Sequence, residues 1–391
     1  MKHVLHVVSL PHTQTTKKYS VCAYTEKVRK FCTMMKSLGN TVFLYASEDN
    51  EAQCDELITC ITKKEQENLI NVTGPENIQN ISWDITHPSW VTMNTRVIDS
   101  IRQRKRSNSD IICIIAGCAQ KNIMDAFPEL STVEFGIGYQ GVCAPFMVFE
   151  SYAWMHSIYT MMFGKPFDCN GRFYDDVIPN FFEVDDFPFS RKKEDYYLYI
   201  GRLIERKGVS VAVQACKAKG KKLIIAGNQG HIPNDCSYVG LVGPKERGKL
   251  MSRAQAVFVP TLYVEPFGGV AAEALLCGTP VITTDWGAFP ENVVDGRDGF
   301  RIRTLGEAMW AMDKVKDLDY LDICLNARNR FSTDVLKYRY QDYFDRVASL
   351  RHKNGGWDNQ EYNPRNKREL GNFTTWAIKS KDFDSKNQEV A

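Results

Sequence analysis

Short apolar runs bounded by polar or turn residues recur along the first half of the chain. They are Val4–Val8, Thr41–Ala46 and Ile111–Ala116. Continuous apolar runs of this kind are typical of strands buried on both faces, as in a parallel sheet. Between the first two runs, apolar positions at near-helical spacing predict a helix over Tyr24–Leu38 that stops at Gly39. Strand, helix and strand together predict a βαβ unit.

The second half of the chain repeats this pattern. Its apolar runs, which have helical patterns between them, are Tyr196–Ile200, Lys222–Ala226, Ala256–Pro260 and Pro280–Thr284. At 391 residues the chain is long enough for two domains of ordinary size. The sequence therefore predicts an α/β fold of two doubly wound, Rossmann-like domains that face an interdomain cleft. We place them at residues 1–186 and 187–335, with residues 336–391 as a last helix and tail that return toward the first domain.

Net charge, the length of apolar runs and the spacing of cysteines limit which partners, locations and metal or disulfide sites we expect for this protein. The formal net charge is +2, so no excess of positive charge favours nucleic acid as a partner. The segment Met1–Val8 lacks the longer apolar core of a secretory signal, and no run approaches the roughly 20 apolar residues of a membrane span. We therefore expect a cytoplasmic protein, with peripheral membrane contact and oligomeric state left open. The twelve cysteines are scattered without a C-x-x-C pair, which favours free thiols over a metal site or a disulfide framework.

The stretch Glu265–Glu273 combines a turn, two adjacent glycines and two carboxylates. Gly268 and Gly269 allow close approach of the backbone to a ligand, and a helix that begins there points unpaired N–H groups outward, which attracts phosphate. Glu265 and Glu273 would repel phosphate, so we expect them to accept hydrogen bonds from neutral hydroxyls. A sugar nucleotide has both kinds of group. The alternative is an ordinary capped helix with glutamates on its solvated side.

Two cations follow the first strand of the second half. Arg202 leaves the carboxyl end of that strand, and Lys207 comes just before Gly208 at the entry to a helix. A guanidinium and an ammonium at this place suit the oxygens of a diphosphate. Because the carboxyl ends of parallel strands share one edge of a sheet, we expect both cations near the glycine-flanked helix start and near Asn228, which follows the next strand. Ordinary surface charge is the alternative.

Two aromatic segments in the first half are candidates for binding a sugar. Trp83, Asp84 and His87 lie in a turn-rich segment, where an indole can stack on a sugar ring and the polar groups can bind its hydroxyls. Tyr152 and His156 lie at the start of a predicted helix. The alternatives are aromatic residues that only anchor a loop and a neutral histidine packed in the core.

Three separated segments resemble glycosyltransferase family 4, in the same order and with the same spacing. They are Gly201–Gly208, Glu265–Glu273 and Cys277–Glu291. The resemblance implies the GT-B architecture, in which an acceptor-binding domain is followed by a nucleotide-sugar-binding domain. The first loop departs from the family pattern, because many members have paired glycines where this chain has Pro11–Gln14.

The resemblance also implies a role for each matched residue. Catalytic roles fall on Arg202 and Lys207, which would bind the donor diphosphate, and on Glu265, which would bind hydroxyls of the donor sugar. Main-chain amides after Pro266 would cradle phosphate and sugar, and a second glutamate would accept from the ribose hydroxyls. The resemblance thus assigns donor binding to Phe267, Gly268, Gly269, Val270 and Glu273. Asn228, which is expected at the same sheet edge, is added to them as a donor-binding residue.

The implied reaction moves a sugar from a nucleoside diphosphate to a hydroxyl of a glycan or small molecule, with retention of anomeric configuration. A UDP-sugar is preferred over a GDP-sugar as donor, and neither a metal nor a prosthetic group is needed. The five aromatic and polar candidates of the first half would then bind the acceptor. Two rival functions remain: a non-catalytic protein that binds a sugar nucleotide, and a nucleotide-sugar epimerase on the same fold.

Overall fold

The computed structural model describes residues 1–78, 81–163, 171–172, 174–228 and 230–352. They divide into two compact units: the first contains Met1–Glu150, Ile158–Phe181 and residues 336–352, and the second contains Ser151–Ser157 and Phe182–Val335. This division differs from the predicted boundaries in two respects. The first unit gives way to the second after Phe181 rather than after residue 186, and Ser151–Ser157 groups with the second unit. The predicted tail, residues 353–391, lies outside the described residues.

Each unit is built on a parallel sheet. In chain order the strands are β1 Val4–Val8, β2 Thr41–Ala46, β3 Glu56–Thr59, β4 Ile111–Ile114, β5 Ser131–Ile137, β6 Phe146–Phe149, β7 Asp176–Val177, β8 Tyr197–Ile200, β9 Leu223–Ala226, β10 Ser237–Tyr238, β11 Val257–Val259, β12 Val281–Thr284 and β13 Gly299–Ile302. Within the described residues, the first sheet has the order β3-β2-β1-β4-β5-β6-β7 and the second has the order β10-β9-β8-β11-β12-β13. Every pair of neighbouring strands is parallel. The strand order of each sheet reverses beside its first strand, as in a doubly wound fold.

Helices connect the strands and cover the sheets. In chain order they are α1 Ala23–Ser37, α2 Lys63–Ile70, α3 Pro88–Arg104, α4 Lys121–Asp125, α5 Tyr152–Phe163, α6 Val209–Ala218, α7 Pro244–Arg253, α8 Gly269–Leu276, α9 Phe289–Asn292, α10 Leu305–Lys314, α11 Tyr320–Phe331 and α12 Thr333–His352. Parallel strands require such crossovers, because each chain segment must return to the same end of the sheet. In the described part of the chain, none of these helices has the length and apolar character needed to span a membrane.

Both sheets are buried on both faces. Successive side chains of β1 alternate between two apolar clusters: Leu5 and Val7 belong to the cluster that includes α1 and α12, and Val8 belongs to the cluster that includes α3 and α4. The second sheet is covered in the same way, by α8 and α11 on one face and by α6 and α10 on the other. The predicted fold of two Rossmann-like α/β domains is therefore confirmed.

The last helix is anchored in the core of the first unit by aromatic side chains. The ring of Phe31 on α1 stacks on Phe135 of β5 at 4.2 Å between centroids, and meets Tyr340 of α12 edge-on at 5.2 Å. Tyr340 also contacts Phe181 edge-on at 5.7 Å and has no solvent exposure. The helix thus completes one face of the first sheet, although it lies far from that sheet in sequence.

Tyr340→Ala is expected to lower the free energy of unfolding by about 3–5 kcal/mol, the usual cost of removing a fully buried aromatic ring from a packed core. Denaturant unfolding followed by circular dichroism measures this loss. Tyr338→Ala is the matched control, because it removes a half-buried ring from the same helix, and it should cost less than half as much. Equal losses for the two variants would show that α12 is not anchored through Tyr340.

Candidate functional site

Three loops meet at the carboxyl edge of the second sheet, the edge where its strands end. They follow β8, β9 and β11, which are neighbours in the sheet. The loops after β8 and β9 are in contact: a Cβ on Gly227 would lie 1.8 Å from the carbonyl oxygen of Gly201. In addition, the N–H of Leu203 donates to the carbonyl of Asn228 at 3.0 Å. The predicted grouping of Arg202 with Asn228 at one edge is thus observed in the second unit.

The loops after β8 and β11 are joined just as closely. Gly208 has φ 70°, and a Cβ there would lie 1.9 Å from the carbonyl oxygen of Pro260, so only glycine fits without a backbone shift. The N–H of Leu262 also donates to the carbonyl of Arg206 at 2.9 Å. These contacts determine which side chain of one loop faces which side chain of the other.

Lys207 and Glu265 form an ion pair across these two loops. The Nζ of Lys207 donates to Oε2 of Glu265 at 2.8 Å, and the side chains are only 21% and 12% exposed. Burial lowers the pKa of Lys207, but the charge of Glu265 and its hydrogen bond outweigh burial and raise that pKa above its ordinary value. Lys207 is therefore held as a cation. Its Nζ and the guanidinium of Arg206 lie 4.9 Å and 4.2 Å from the ring centroid of Tyr263, which packs against both cations.

The start of α8 lies directly after this ion pair in the chain. Gly268 is its N-cap with φ 82°, and a Cβ there would lie 2.6 Å from the ring of Phe289. In the described part of the chain, the amides of Phe267, Gly268, Gly269 and Val270 donate no hydrogen bond. The side chain of Phe267 is buried at 3% exposure, so only its main chain can contact a ligand. The helix start thus combines unengaged N–H donors with the positive end of the helix dipole.

Glu273 lies one turn into α8 and is paired with Arg247 of α7. The two side chains approach to 3.1 Å between Nη2 and Oε1, and Glu273 is 13% exposed. Nothing in the sequence singled out Arg247. Its signal was weak, because α7 carries several cations and nothing in the sequence indicates which of them faces α8.

Arg202 has an exposed side chain, and its main chain is held by the hydroxyl of Tyr199, which donates to its carbonyl at 3.0 Å. Among the described residues it has no ion-pair partner. A guanidinium placed in this way is available to an anionic ligand at the same sheet edge as Lys207. Asn228 is half-buried, and its carbonyl is already engaged by Leu203.

The segment Ser151–Ser157 belongs to the second unit and contacts the turn before α8. The hydroxyl of Ser151 donates to the carbonyl of Pro266 at 2.7 Å. The amides of Tyr152 and Ala153 donate to the two carboxylate oxygens of Glu291, each at 2.8 Å. Glu291 therefore caps α5.

Tyr152 and His156, two of the five predicted acceptor residues, lie on this segment. Both are exposed, with 6.3 Å between their ring centroids. They belong to the same unit as the candidate donor site, which the sequence did not indicate. Their contact with an acceptor stays a prediction.

The other three predicted acceptor residues belong to the first unit and differ in how far local hydrogen bonds already engage their side chains. Trp83 is 45% exposed, and its ring lies 5.3 Å from Tyr24. Asp84 accepts from the amide and hydroxyl of Thr86 at 2.9 Å and 2.8 Å, so it closes a local turn. His87 is the N-cap of α3, and its Nδ1 accepts from the amide of Ser89 at 3.4 Å. Only Trp83 thus presents a large surface that local structure leaves uncovered.

The carboxyl edge of the first sheet also holds a buried pair of opposite charges. The Nζ of Lys27 lies 2.7 Å from Oε1 of Glu150 and donates to the carbonyl of Gly136 at 2.9 Å. The Lys27 and Glu150 side chains are only 7% and 6% exposed. Lys27 lies on the buried side of α1, next to Thr25 and Val28, and a lysine beside positions with apolar helical spacing is the signal that could have revealed this pair.

His12 lies in the first loop, within the segment Pro11–Gln14. It is 1% exposed, and burial lowers its pKa to about 3, so the imidazole is neutral. Its ring packs against Trp83 edge-on at 5.9 Å between centroids. The loop therefore supports the exposed indole rather than forming an open glycine-lined cradle.

No group of three or more His, Cys, Asp or Glu side chains in the described residues is arranged to hold a metal ion.

Known families and proteins resemble parts of this chain. Residues 181–318 match the family described as glycosyl transferases group 1. The glycogen synthase of Mycobacterium tuberculosis is 32% identical over 144 residues, which cover 32% of this chain and 34% of that protein. A probable sucrose-phosphate synthase of Thermosipho melanesiensis is 33% identical over 130 residues, which cover 32% of this chain and 25% of that protein. The matches thus span about a third of the length of these relatives or less, and the family match lies almost entirely in the second unit.

Solved structures share the fold over most of the chain. The sucrose-phosphate synthase of Thermosynechococcus elongatus superposes with a TM-score of 0.61 at 14% identity, covering 88% of this chain and 99% of that one. HepE of Anabaena, solved in complex with UDP and glucose, superposes with a TM-score of 0.58 at 14% identity, covering 88% and 100%. At this identity the likeness shows the fold, which is that of GT-B glycosyltransferases.

Lys207→Ala is expected to lower the free energy of unfolding by about 1–3 kcal/mol, because it leaves the carboxylate of Glu265 poorly solvated without its cation. The double variant Lys207→Ala/Glu265→Gln should recover part of this loss, because it no longer contains the unpaired carboxylate of Glu265. Denaturant unfolding of the wild type, both single variants and the double variant measures the coupling. Strictly additive losses would show that the two side chains do not interact in solution.

Proposed function

We propose that this protein is a retaining glycosyltransferase of family 4, which transfers a sugar from a nucleoside diphosphate to a hydroxyl acceptor without a metal ion. The observation that carries the proposal is the Lys207–Glu265 pair next to the start of α8, whose amides are unengaged. The family match over residues 181–318 and relatives named as glycogen and sucrose-phosphate synthases support it.

The donor diphosphate is proposed to bind between Arg202, Lys207 and the start of α8. An ammonium has three donors, so Lys207 can keep its hydrogen bond to Glu265 and still donate to phosphate oxygens. When the bond from the anomeric carbon to the diphosphate breaks, negative charge grows on the leaving oxygens. Cations and N–H dipoles that are already aimed at those oxygens stabilise this charge without reorganisation, and that is how they lower the barrier.

Glu265 is proposed to orient the donor sugar by accepting from its hydroxyls. Its Oε2 is engaged by Lys207 at 2.8 Å, and this ion pair makes the group a poor nucleophile. No protein nucleophile is therefore proposed. The acceptor enters on the face from which the diphosphate leaves, and a phosphate oxygen takes the acceptor proton.

Glu273 is proposed to accept from the ribose hydroxyls, with Arg247 as a positioning residue. Arg247 contacts Oε1 of Glu273 and so restrains the position of that carboxylate. Uridine is the proposed base. The complexes of HepE with UDP and with UDP-glucose, on the same fold, support a uridine nucleotide.

The acceptor is proposed to bind at the exposed indole of Trp83 in the first unit. An indole that is 45% exposed and supported by Tyr24 and His12 is a rigid surface on which a sugar ring can stack. Asp84 and His87 flank it and can contribute hydroxyl contacts through the parts of their side chains not used in the turn and the cap. Tyr152 and His156 remain proposed acceptor residues on the second unit.

Arg202→Ala is expected to weaken UDP binding about 10- to 100-fold, the loss that follows from removing charge-assisted hydrogen bonds to phosphate. Titration calorimetry with UDP, and with GDP for comparison, measures the change. Arg206→Ala is the matched control, because it removes a neighbouring exposed arginine from the same loop, and it should change the affinity less than threefold. Equal effects of the two substitutions would contradict the proposed diphosphate contact.

The same protein incubated with a UDP-sugar separates the rival functions. Slow release of UDP that accelerates on addition of an acceptor sugar, with a product of retained configuration, is the expected result. Formation of an epimeric nucleotide sugar or of free sugar alone would identify an epimerase. Tight binding without any turnover across an acceptor panel would identify a non-catalytic binder.

Trp83→Ala is expected to raise the KM for the acceptor about 3- to 10-fold while the affinity for UDP stays unchanged, because an aromatic contact of this kind contributes about 0.5–1.5 kcal/mol. Steady-state kinetics with the most active acceptor of the panel measures it. Trp310→Ala is the control, since Trp310 is an indole of the second unit that is 53% exposed. An unchanged acceptor KM in Trp83→Ala would remove this residue from the acceptor site.

A further inference from the structure

Cys118 and Cys143 lie side by side at the carboxyl edge of the first sheet. Cys118 is in the turn after β4, and Cys143 is in the segment between β5 and β6. The amide of Cys118 donates to the carbonyl of Gly141 at 2.8 Å, and its Sγ lies 3.8 Å from the carbonyl oxygen of Val142. Since Cys143 directly follows Val142 in the chain, its thiol is a close neighbour of Cys118.

The backbone holds this thiol pair in place from both sides. Gly117 has φ 54°, and a Cβ there would lie 2.2 Å from the carbonyl oxygen of Gly141, so the two segments are in direct main-chain contact. The buried carboxylate of Glu134 accepts from the amides of Cys143 and Ala144 at 2.9 Å and 3.1 Å. A disulfide needs its two cysteines to be neighbours with little backbone movement, and these contacts hold the Cys118 turn against the segment that carries Cys143.

The two thiols differ in access to solvent. Cys118 is exposed and Cys143 is half-buried. Burial and then the charge of Glu134 raise the pKa of the Cys143 thiol. Cys118 is therefore the thiol that a reagent in solution reaches first, and Cys143 is the neighbour that can resolve the product.

We propose that Cys118 and Cys143 are an oxidative modification site that forms a disulfide on reaction with a low-molecular-weight disulfide such as oxidised glutathione. The thiolate of Cys118 attacks one sulfur of the reagent, forms a mixed disulfide and releases one glutathione thiolate. Cys143 then loses its proton and attacks Sγ of Cys118, which releases the second glutathione. The protein dithiol is oxidised by two electrons, and one glutathione disulfide is reduced to two thiols.

The disulfide would join two segments that support the aromatic surface of the first unit. The turn of Cys118 is tied to the first loop by Gln120, whose Nε2 donates to the carbonyl of Ser9 at 2.8 Å. On the other side, the hydroxyl of Tyr139 donates to Glu134 at 2.9 Å, and the Tyr139 ring lies 5.3 Å from Tyr24. Oxidation therefore restrains the segment that carries Tyr139. This inference does not depend on the proposed transferase activity.

The wild type, Cys118→Ser and Cys143→Ser are each incubated with oxidised glutathione, and intact mass and a non-reducing peptide map are recorded. In the wild type we expect the loss of two hydrogen atoms, a cross-link between the peptides of Cys118 and Cys143, and a Tm higher by about 3–8 °C. Dithiothreitol should reverse all three changes. Cys143→Ser should stop at one glutathione adduct on Cys118, and Cys118→Ser should form no cross-link.

Cys236→Ser is the matched control, because it removes a half-buried thiol of the second unit and should oxidise as the wild type does. The proposal is overturned if the wild type keeps a glutathione adduct on Cys118, if the cross-link joins other cysteines, or if the wild type does not react. Activity assays are not needed for any of these readouts, so failure here is distinct from failure of the proposed function.

Discussion

Parallel strand pairing is the constraint on which the rest of the structure depends. Because all neighbouring strands run in the same direction, each crossover must return to the starting edge, and the loops that leave the strands collect at the opposite edge. Functional groups that are distant in the chain therefore meet. Lys207 after β8 and Glu265 after β11 are 2.8 Å apart although 58 positions separate them. The same rule brings Gly136 and Glu150 to Lys27 in the first unit.

Close backbone contacts at glycine residues fix how the loops at the sheet edge lie against each other. Gly208 against Pro260 and Gly227 against Gly201 leave no room for a Cβ, so the loops after β8, β9 and β11 are locked together. Side chains on such loops lose little further freedom when they pair. The Lys207–Glu265 ion pair is accordingly a preorganised element, in which the carboxylate keeps the ammonium charged despite its burial.

The two units use buried charge differently. In the second unit the cations stay partly accessible: Arg202 is exposed and Lys207 retains 21% exposure, so both can reach an anionic ligand. In the first unit Lys27 and Glu150 are almost fully enclosed, and His12 is neutral because of burial. An enclosed pair of this kind supports its surroundings rather than binding solutes directly. The indole of Trp83 and the thiol of Cys118, in contrast, are exposed side chains of the first unit.

The sequence by itself determined the fold and the donor-site candidates of the second half. Apolar runs set the strands, and the residue types of Arg202, Lys207 and Gly268–Gly269 indicate anion binding, because these properties belong to local segments. It could not determine that Arg247 pairs with Glu273, that Ser151–Ser157 groups with the second unit, or that Cys118 lies against Cys143. Such contacts join positions far apart in the chain, and their partners depend on how helices and loops pack. Only the tertiary structure therefore decided the immediate environment of the residues that the sequence had singled out.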